Sequence, residues 1–373
     1  MQFKRVARVA TLTLMLFSVV GIGALQAGVR FDKKGPAIKV NDDRDWFSHK
    51  CDDKYYTENW TTMLRSDQGH ILYVTFLKSN IGVMSGSSIV SASISYPGKP
   101  AEKSVFREFQ HSLGDFKEQK TRGRISIKKH YLTLTDRRKL KLHVEEGDLT
   151  IDVDITSFMD GVRFHSGKFF LDKGHEKWVQ TFVHVPWGKF EGTMKLGKQT
   201  VKFKGDAFVD HLRQNVLGTD YATHWWSARM FSDNYAIAFF NFKSPKSLGS
   251  KRIHRILVMN KEEVLAQSNV LQFSADKPVN DPEGHRYATR YKFSFMGEKV
   301  SVKGTFVGKR LHNRDAMLER MNAVQRGVVK MMAGEPINYR QDGTASVTIQ
   351  EEGKEPVQIK APVSMESLVL IGE

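Results

Sequence analysis

The stretch FVDHLRQNVLGTDYATHWWSAR, residues 208–229, holds the side chains of this sequence that are best suited to chemistry. Asp210 and His211 are adjacent, and a carboxylate that is hydrogen-bonded to an imidazole fixes the tautomer of the ring and raises its basicity. Such a pair suits general acid or base catalysis. The same groups, with the nearby arginine and indole N–H groups, also suit a structural role as mutual hydrogen-bond partners at a junction of strands. The sequence leaves both interpretations open.

A predicted ligand-binding set of eight residues extends from this stretch into the strand that follows it. The segment YAIAFFNF places Tyr235, Phe239 and Asn241 on one face of a strand, and such a face can line the lumen of a β-barrel. An ordinary filled core would use the same aromatic residues. Asp233, at the start of this strand, is together with His211 a candidate for handling a proton. The predicted set is Asp210, His211, Trp225, Trp226, Arg229, Tyr235, Phe239 and Asn241.

Other kinds of site lack their sequence signatures. None of the 13 histidines occurs in His-x-His or His-x-x-x-His spacing with a carboxylate at a suitable offset, so we expect no metal. There is no Gly-x-Ser-x-Gly element and no glycine-rich phosphate loop, so we expect neither a serine nucleophile nor a cofactor. The single cysteine, Cys51, excludes an intramolecular disulfide. No nucleic-acid-binding motif is present, and we expect no nucleic-acid partner.

The elements that must position these residues are predicted to be antiparallel strands. Polar and apolar residues alternate with period two on both sides of a turn in 139–156, and the same pattern recurs in 188–205 and 290–306. Strands joined by tight turns along the whole chain favour barrels or sandwiches over a parallel α/β sheet. We therefore predict an all-β fold.

One segment breaks the alternating pattern. Five apolar residues recur at spacings of four, three, four and three: Met317, Met321, Val324, Val328 and Met331. This periodicity predicts an amphipathic helix at 313–333, with Asn313 as its N-cap and Gly334 at its end. We expect the apolar face of this helix to pack on the outside of a sheet, and a lipid-facing methionine surface is the alternative.

Two parts of the chain resemble each other. Residues 59–80 align with residues 225–245 with one gap, and the hairpins at 139–156 and 290–306 then follow in the same order. Two related β domains in tandem would produce this order. The predicted segments are a polar lead-in at 28–44 and domains at 45–207 and 208–373.

The N-terminal residues predict export. Three basic residues within the first eight precede a largely apolar run from Val9 to Leu25, and Ala27 offers a small residue for cleavage. We expect residues 1–27 to be a cleaved signal peptide and the protein to be periplasmic or secreted. A retained membrane anchor is the alternative, because about 17 apolar residues are at the short limit of what spans a bilayer.

The charge of the chain favours anionic partners. Of its 57 Lys and Arg, three lie in the first 27 residues, and the remainder exceed the 41 Asp and Glu by 13. Such a balance allows weak association with phospholipid head groups or polysaccharide. Because the basic residues mostly alternate with apolar ones along strands, a dispersed surface charge is the simpler interpretation.

These features together resemble the lipocalin-like superfamily of AttH domains. The resemblance extends from about Trp46 to the end and rests on PWGKFEGTMKLGKQTVKFKGDAFVDH, on HWWSAR and on GEPINYRQDGTASV. The superfamily includes CrtC-type carotenoid hydratases, fungal Diels–Alderases with two calycin-like domains, and Svf1 proteins. Membership implies two tandem lipocalin-like antiparallel barrels or half-barrels and a hydrophobic pocket. The positions that match the superfamily are Asp210, His211, Trp226 and Arg229.

Three functional hypotheses follow from the sequence. The leading one is an exported protein that binds or carries a hydrophobic ligand, such as a lipid or an isoprenoid. The second is a cofactor-free hydratase, isomerase or cyclase that acts on an isoprenoid or polyketide, with His211 or Asp233 handling the proton. The third is a protein that adheres to anionic lipid or polysaccharide through its positive charge, with strongly salt-dependent binding.

Overall fold

The chain folds into two antiparallel β-sheets, which confirms the all-β prediction. The computed structural model describes residues 29–33, 38–49, 52–81, 85–320, 323, 326, 327, 330 and 334–370. One sheet has 15 strands and the other has nine. A short helix, α1 (Gly218–Tyr221), lies in the connection between the two sheets.

The N-terminal sheet uses every strand before α1. Its strands are β1 (Arg30–Phe31), β2 (Ile38–Val40), β3 (Thr57–Ser66), β4 (Ile71–Ser79), β5 (Ser87–Ser95), β6 (Val105–Ser112), β7 (Phe116–Gln119), β8 (Arg124–Ile127), β9 (His130–Asp136), β10 (Lys139–Glu146), β11 (Leu149–Ser157), β12 (Val162–Phe164), β13 (Lys168–Phe170), β14 (Trp178–Leu196) and β15 (Gln199–Gln214).

The C-terminal sheet uses every strand after α1. Its strands are β16 (His224–Phe231), β17 (Ala236–Lys243), β18 (Arg252–Met259), β19 (Val264–Ser268), β20 (Gln272–Asn280), β21 (Arg286–Met296), β22 (Val300–Ala316), β23 (Ile337–Glu351) and β24 (Val357–Val369).

The N-terminal sheet curls into a nearly closed barrel. Its main strand order is β6-β5-β4-β3-β15-β14-β11-β10-β9-β8-β7, and its two edge strands, β6 and β7, are joined by a single 3₁₀ turn at Leu113–Asp115. Inward-facing residues such as Trp60, Leu142 and Val209 are fully buried and belong to one apolar cluster. The interior of this barrel is therefore filled by its own side chains.

The C-terminal sheet is also filled by aromatic side chains. Its order is β19-β18-β17-β16-β24-β23-β22-β21-β20, and the edge strands β19 and β20 are separated by residues 269–271 alone. Phe239 is fully buried at the centre, with its ring centroid 5.4 Å from those of Phe293 and Phe306. The face of β17 that was predicted to line a lumen thus lies in a packed core.

Tight turns produce the predicted hairpins. In β10 and β11, Glu146 lies opposite Leu149, which leaves a two-residue turn at Gly147-Asp148. Gly147 has a φ of 59°, in the left-handed region that a two-residue hairpin turn requires and that glycine adopts without strain. The predicted hairpins at 188–205 and 290–306 are the ladders of β14 with β15 and of β21 with β22.

The outer faces of the two sheets pack against each other along a contact that we call the seam. Side chains alternate across each strand, so β15 buries Val209 inside its barrel and directs Phe208 outward. Phe208 meets Ala238 and Leu257, which point out of the C-terminal sheet. A second apolar cluster in the seam includes Phe169, Val179, Tyr221, Phe242 and Leu370.

The change of sheet occurs between Gln214 and His224. The predicted domain boundary at 207/208 falls inside β15, which pairs with β14 and β3 over its length. The predicted polar lead-in at 28–44 contains β1 and β2, which pair with β13 and β12. The two segments that resemble each other in sequence form β3–β4 and β16–β17, each a hairpin of its own sheet.

The predicted amphipathic helix at 313–333 is not evident. Its first four residues, Asn313–Ala316, continue β22 and pair with β23, and Met317–Arg320 form a 3₁₀ turn. The ladder of a long hairpin overrides the helical periodicity here, because each strand residue gains backbone hydrogen bonds to its partner. Most of residues 321–333 lie outside the described part of the chain. The four that are described, 323, 326, 327 and 330, are helical.

The predicted signal peptide at 1–27 and Cys51 also lie outside the described residues. Among the helices of the described chain, none has both the length and the apolar character needed to cross a membrane.

Candidate functional site

A cavity of about 470 Å³ lies in the seam between the two sheets. Its wall is built from residues of both sheets, most of which face outward, from α1 and from the short strands β12 and β13. Aromatic side chains such as Phe169, Phe182, Phe240 and Phe242 supply much of the apolar surface. The volume is in the range of about 300–1,000 Å³ that is typical of small-molecule pockets. We call this space the seam cavity.

Strand alternation separates the two residues that the sequence places side by side. The Oδ2 of Asp210 lies 3.1 Å from Nη2 of Arg229 across the seam. His211 faces the other way and lies with Nε2 at 2.8 Å from Oε1 of Glu58 inside the N-terminal barrel. The carboxylate–imidazole pair that adjacency indicated is therefore absent between these two residues, because neighbours on a strand point to opposite faces.

Asp210 belongs to a group of four charged residues that we call the seam ion cluster: Asp210, Arg229, Arg340 and Glu366. Arg229 Nη1 donates to Glu366 Oε2 at 2.9 Å, and Arg340 Nε donates to Glu366 Oε1 at 2.8 Å. The four side chains come from four different strands, and all four border the seam cavity. The cluster thus links the N-terminal sheet to three strands of the C-terminal one.

The two carboxyl groups of the cluster have very different acidities. Burial raises the pKa of Asp210 to about 6, in spite of Arg229 and with a further contribution from Glu366. Burial also acts to raise the pKa of Glu366, but Arg340 and Arg229 outweigh it and leave that pKa lowered to about 2. Asp210 is consequently a group in the cavity wall that can hold or release a proton near neutral pH.

The wall of the seam cavity also carries buried polar atoms that have no hydrogen-bond partner among the residues that the structure describes. Most buried polar groups in proteins are paired, so several such atoms around one space indicate that a guest molecule can supply partners. Both donors and acceptors are present. They are Thr57 Oγ1, Trp225 Nε1, Arg229 Nε, Gln267 Oε1 and Asn338 Oδ1.

His211 is the centre of a separate polar network inside the N-terminal barrel. Glu58 accepts hydrogen bonds from Tyr56 Oη at 2.7 Å and from His211 Nε2 at 2.8 Å. Burial lowers the pKa of His211, with Glu58 opposing this, and burial lowers the pKa of His184 further. His211 Nδ1 lies 3.0 Å from the carbonyl oxygen of Asp45 and 3.3 Å from Nε2 of His184. The His211 ring also stacks on Trp60 at 4.4 Å.

The structure divides the predicted ligand-binding set between two regions. Asp210, Trp225 and Arg229 border the seam cavity, and His211 also borders it, although its ring pairs with Glu58 inside the N-terminal barrel. The other four residues lie in or beside the strands of the C-terminal sheet: Trp226, Tyr235, Phe239 and Asn241.

Each of these four predicted residues contacts other residues of the C-terminal sheet through hydrogen bonds or apolar packing. The Tyr235 hydroxyl donates to Glu351 at 2.6 Å, and Asn241 Oδ1 lies 2.9 Å from Nδ1 of His254. The second proton-handling candidate, Asp233, is exposed in the turn between β16 and β17. Asp233 is thus remote from both the seam cavity and the His211 network.

Sequence reasoning missed the charged residues that other strands contribute. Glu366 and Arg255 border the seam cavity, yet neither lies in a recognisable motif. The available signal was a charged residue beside a run of apolar ones, as in PVSMESLVL for Glu366 and RILVM for Arg255. Such a charge must find a partner or face a cavity, because unpaired burial is costly.

Within the described part of the chain, two groups of residues have the side-chain types of metal ligands: His111, His130 and Glu146, and Asp281, Glu283 and His285. In the first, the backbone N–H of Glu145 donates to His130 Nδ1, which places the ring proton on Nε2, facing Glu146. In the second, Arg314 pairs with both carboxylates. Both groups are therefore explained by hydrogen bonds and ion pairs.

Two antiparallel β-sheets packed side by side, one of them a nearly closed barrel, define the fold, and solved structures share it. An AttH protein of Nitrosomonas europaea matches with a TM-score of 0.62 and 12% identity, over 88% of this chain and 96% of that one. CghA in complex with Sch210972 matches with a TM-score of 0.57 and 9% identity, over 86% and 89%. Kievitone hydratase of Nectria haematococca has a TM-score of 0.48, 12% identity, and coverage of 83% and 88%.

The sequence itself identifies the family. Residues 27–368 match the model of the Svf1 family, and the chain belongs to this family. No curated protein sequence matches the chain. The predicted resemblance to the lipocalin-like superfamily is confirmed.

Proposed function

We propose that this protein binds a small hydrophobic ligand, such as a lipid or an isoprenoid, in the seam cavity and acts as its carrier. The observation that carries this proposal is a space of about 470 Å³ with an aromatic wall between two barrels whose own interiors are packed. The unpartnered polar atoms of the wall would orient the guest. The complex of CghA with Sch210972 adds support, because a protein of similar fold holds a small molecule.

The proposal includes a location outside the cytoplasm. The basic, then apolar, N-terminal residues support cleavage near Ala27 and a periplasmic or secreted protein. The excess of basic residues supports weak, salt-sensitive contact with anionic membrane or polysaccharide surfaces. Such contact would bring a carrier close to a source of hydrophobic molecules.

The first test is to look for the guest directly. Purified protein is extracted with organic solvent, and the extract is analysed by mass spectrometry. Fatty acids and polyprenols are then added while tryptophan fluorescence is measured. We expect retained apolar material, or quenching that is smaller in Trp225→Phe because this indole borders the cavity. Correctly folded protein that shows neither result would contradict the proposal.

A matched pair of variants locates the binding. Thr57→Phe puts a large side chain into the seam cavity and removes an unpartnered hydroxyl. Thr200→Phe makes the same change at an exposed position of β15. Loss of ligand binding in the first variant alone would support the seam cavity. Equal binding by both variants would place the ligand elsewhere.

One observation favours an enzyme as the second candidate. Asp210 borders the cavity with its pKa raised to about 6, so a fraction of this carboxyl is protonated near neutral pH. In a hydratase, it would protonate a carbon–carbon double bond, water would add to the cation, and the released proton would return to the carboxylate. If the protein is an enzyme, Asp210→Asn should abolish turnover of a polyene. If it is only a carrier, the same variant should still bind the ligand. His211→Ala should only cost about 1–3 kcal/mol of stability.

A further inference from the structure

We propose that the ligand of the seam cavity is an amphiphile with one anionic head, a carboxylate or a phosphate, and that Arg255 binds this head. The inference rests on the proposed function and specifies the chemical class of its ligand. It is carried by the pairing of charges around the cavity, by the contacts of Arg255 and by the apolar wall beside it.

Four arginines border the seam cavity, and three of them have carboxylate partners. Arg229 and Arg340 pair with the carboxylates of the seam ion cluster, and Arg163 pairs with Asp45. Arg255 is the fourth, and among the described residues no carboxylate forms an ion pair with it. The wall therefore presents one positive charge that the protein does not neutralise.

The contacts of Arg255 are all uncharged. Its Nη1 donates to the hydroxyl of Thr181, and its Nη2 donates to the carbonyl oxygen of Gly167 at 3.2 Å. Gly167 has a φ of 78°, and a Cβ there would lie 2.7 Å from the carbonyl oxygen of Thr181, so glycine is required at this close approach. A guanidinium has five N–H donors, so Arg255 keeps donors for a further acceptor.

Aromatic rings surround the guanidinium of Arg255. The centroids of Phe31, Phe164 and Phe169 lie 5.5–5.7 Å from its Cζ, within the range of cation–π attraction. Burial lowers the pKa of Arg255 to about 10, so the group still carries its charge at neutral pH. An uncompensated buried charge is costly, and an anion in the cavity would remove that cost. A planar carboxylate or a phosphate matches the geometry of the guanidinium fork.

The remainder of the wall suits an apolar body. Beyond Arg255 the cavity is bordered by Tyr221, Phe242, Leu257 and Leu368. A molecule whose head contacts Arg255 can therefore lay its hydrocarbon part along side chains from both sheets. A neutral lipid would fill the same surface but would leave the charge of Arg255 unpaired.

The test compares hexadecanoate, hexadecyl phosphate and hexadecanol, which share one chain and differ in the head. Binding to the full mature protein is measured by Trp225 fluorescence or by displacement of a fluorescent fatty acid. We expect at least one of the two anions to bind about tenfold or more tightly than the alcohol, as a charge-assisted hydrogen bond provides. The relative affinities of the two anions distinguish a carboxylate site from a phosphate site.

Two variants test whether Arg255 binds the anionic head of the ligand. Arg255→Gln should weaken binding of the preferred anion about tenfold or more and leave that of hexadecanol nearly unchanged. Arg252→Gln removes the same charge from an exposed position on β18 outside the cavity wall and should change neither affinity. Should Arg255→Gln fail to fold, the wild-type preference for anion over alcohol still decides the question.

The possible results separate the two proposals. Equal affinity of the wild-type protein for both anions and the alcohol would overturn the anionic head and keep the hydrophobic site. A preference for the anion that survives in Arg255→Gln would overturn the role of Arg255. Failure of all three probes to bind would overturn the inference and the proposed function together.

Discussion

Two of the places in which the protein buries charged groups differ in how completely these groups are satisfied. Inside the N-terminal barrel, the carboxylate of Glu58 receives hydrogen bonds from Tyr56, from His211 and from the backbone of His49. In the seam, Arg229 has two carboxylate partners, yet no described residue forms a hydrogen bond with its Nε. A complete network stabilises a fold, whereas an incomplete one beside a cavity is available to a ligand.

A single strand shows the same contrast in its apolar residues. On β17, Phe239 points into the C-terminal barrel and is surrounded by other aromatic rings. Phe240 and Phe242 lie on the opposite face of β17 and border the seam cavity. The comparison separates the interior faces of the sheets, which form packed cores, from their outer faces, which border the seam cavity.

The largest expected effect tests the packed face. Phe239→Ala should lower the free energy of unfolding by about 3–5 kcal/mol, because a buried aromatic side chain leaves a cavity. Phe240→Ala should cost less, because this partly exposed ring already borders open space, and should weaken ligand binding more. Urea denaturation and fatty-acid binding measure the two effects. Equal stability losses would break the distinction between the faces.

The second effect tests the complete network. Glu58→Gln should lower the free energy of unfolding by about 3 kcal/mol, because it leaves His211 and nearby cations without their buried partner. Glu145→Gln, which removes an exposed partner of Lys129, should leave the free energy of unfolding nearly unchanged. Affinity for the seam ligand should stay the same in both variants. A loss below about 1 kcal/mol for Glu58→Gln would show that this network is not a major source of stability.

The third effect tests the seam through pH. Because the folded pKa of Asp210 is about 6 and its ordinary value is 3.8, the native state holds more protons than the unfolded state between these values. The stability that this group contributes is present below pH 3.8 and is lost as the pH rises through 6. The stability of the wild type relative to Asp210→Asn should therefore fall by up to about 3 kcal/mol between pH 4 and pH 7. If denaturation curves give the same difference in stability between the wild type and Asp210→Asn at every pH, the pKa of Asp210 is not raised in the folded state.

The smallest effect concerns a residue outside both regions. Asp233→Ala, in the exposed turn between β16 and β17, should change the free energy of unfolding by less than about 0.5 kcal/mol. Ligand binding and any turnover should also remain unchanged, as binding and activity assays would show. Loss of either would restore Asp233 as a functional residue.

Local patterns predicted the strands because alternation is a property of neighbouring residues. The hairpin around Gly147 and the ladder of β21 with β22 lie where period-two sequences indicated them. The segment from Asn313 carries a helical period, yet its first residues pair with β23. Pairing depends on a partner strand more than 20 residues away, which a local pattern does not contain.

The site was harder to predict than the strands because it is formed between two sheets. The sequence identified Asp210, Arg229 and Trp225, which lie close together in one stretch. It did not identify Glu366 or Arg255, since nothing local indicates which sheet faces meet. For the same reason, the sequence alone does not indicate which apolar face of β17 packs in a core and which face borders the cavity.

The pairing of β1 and β2 has a consequence for how a guest would enter. These two strands comprise five residues, and they pair only with β13 and β12, whose sequence follows about 130 residues later. Phe31 on β1 lies beside Phe164 and Phe169, which border the cavity. Separation of β1 and β2 from their partners would expose the cavity wall and would leave the ladders between the longer strands of both sheets intact. Because these two strands are so short, their release would cost fewer ladder hydrogen bonds than opening either sheet.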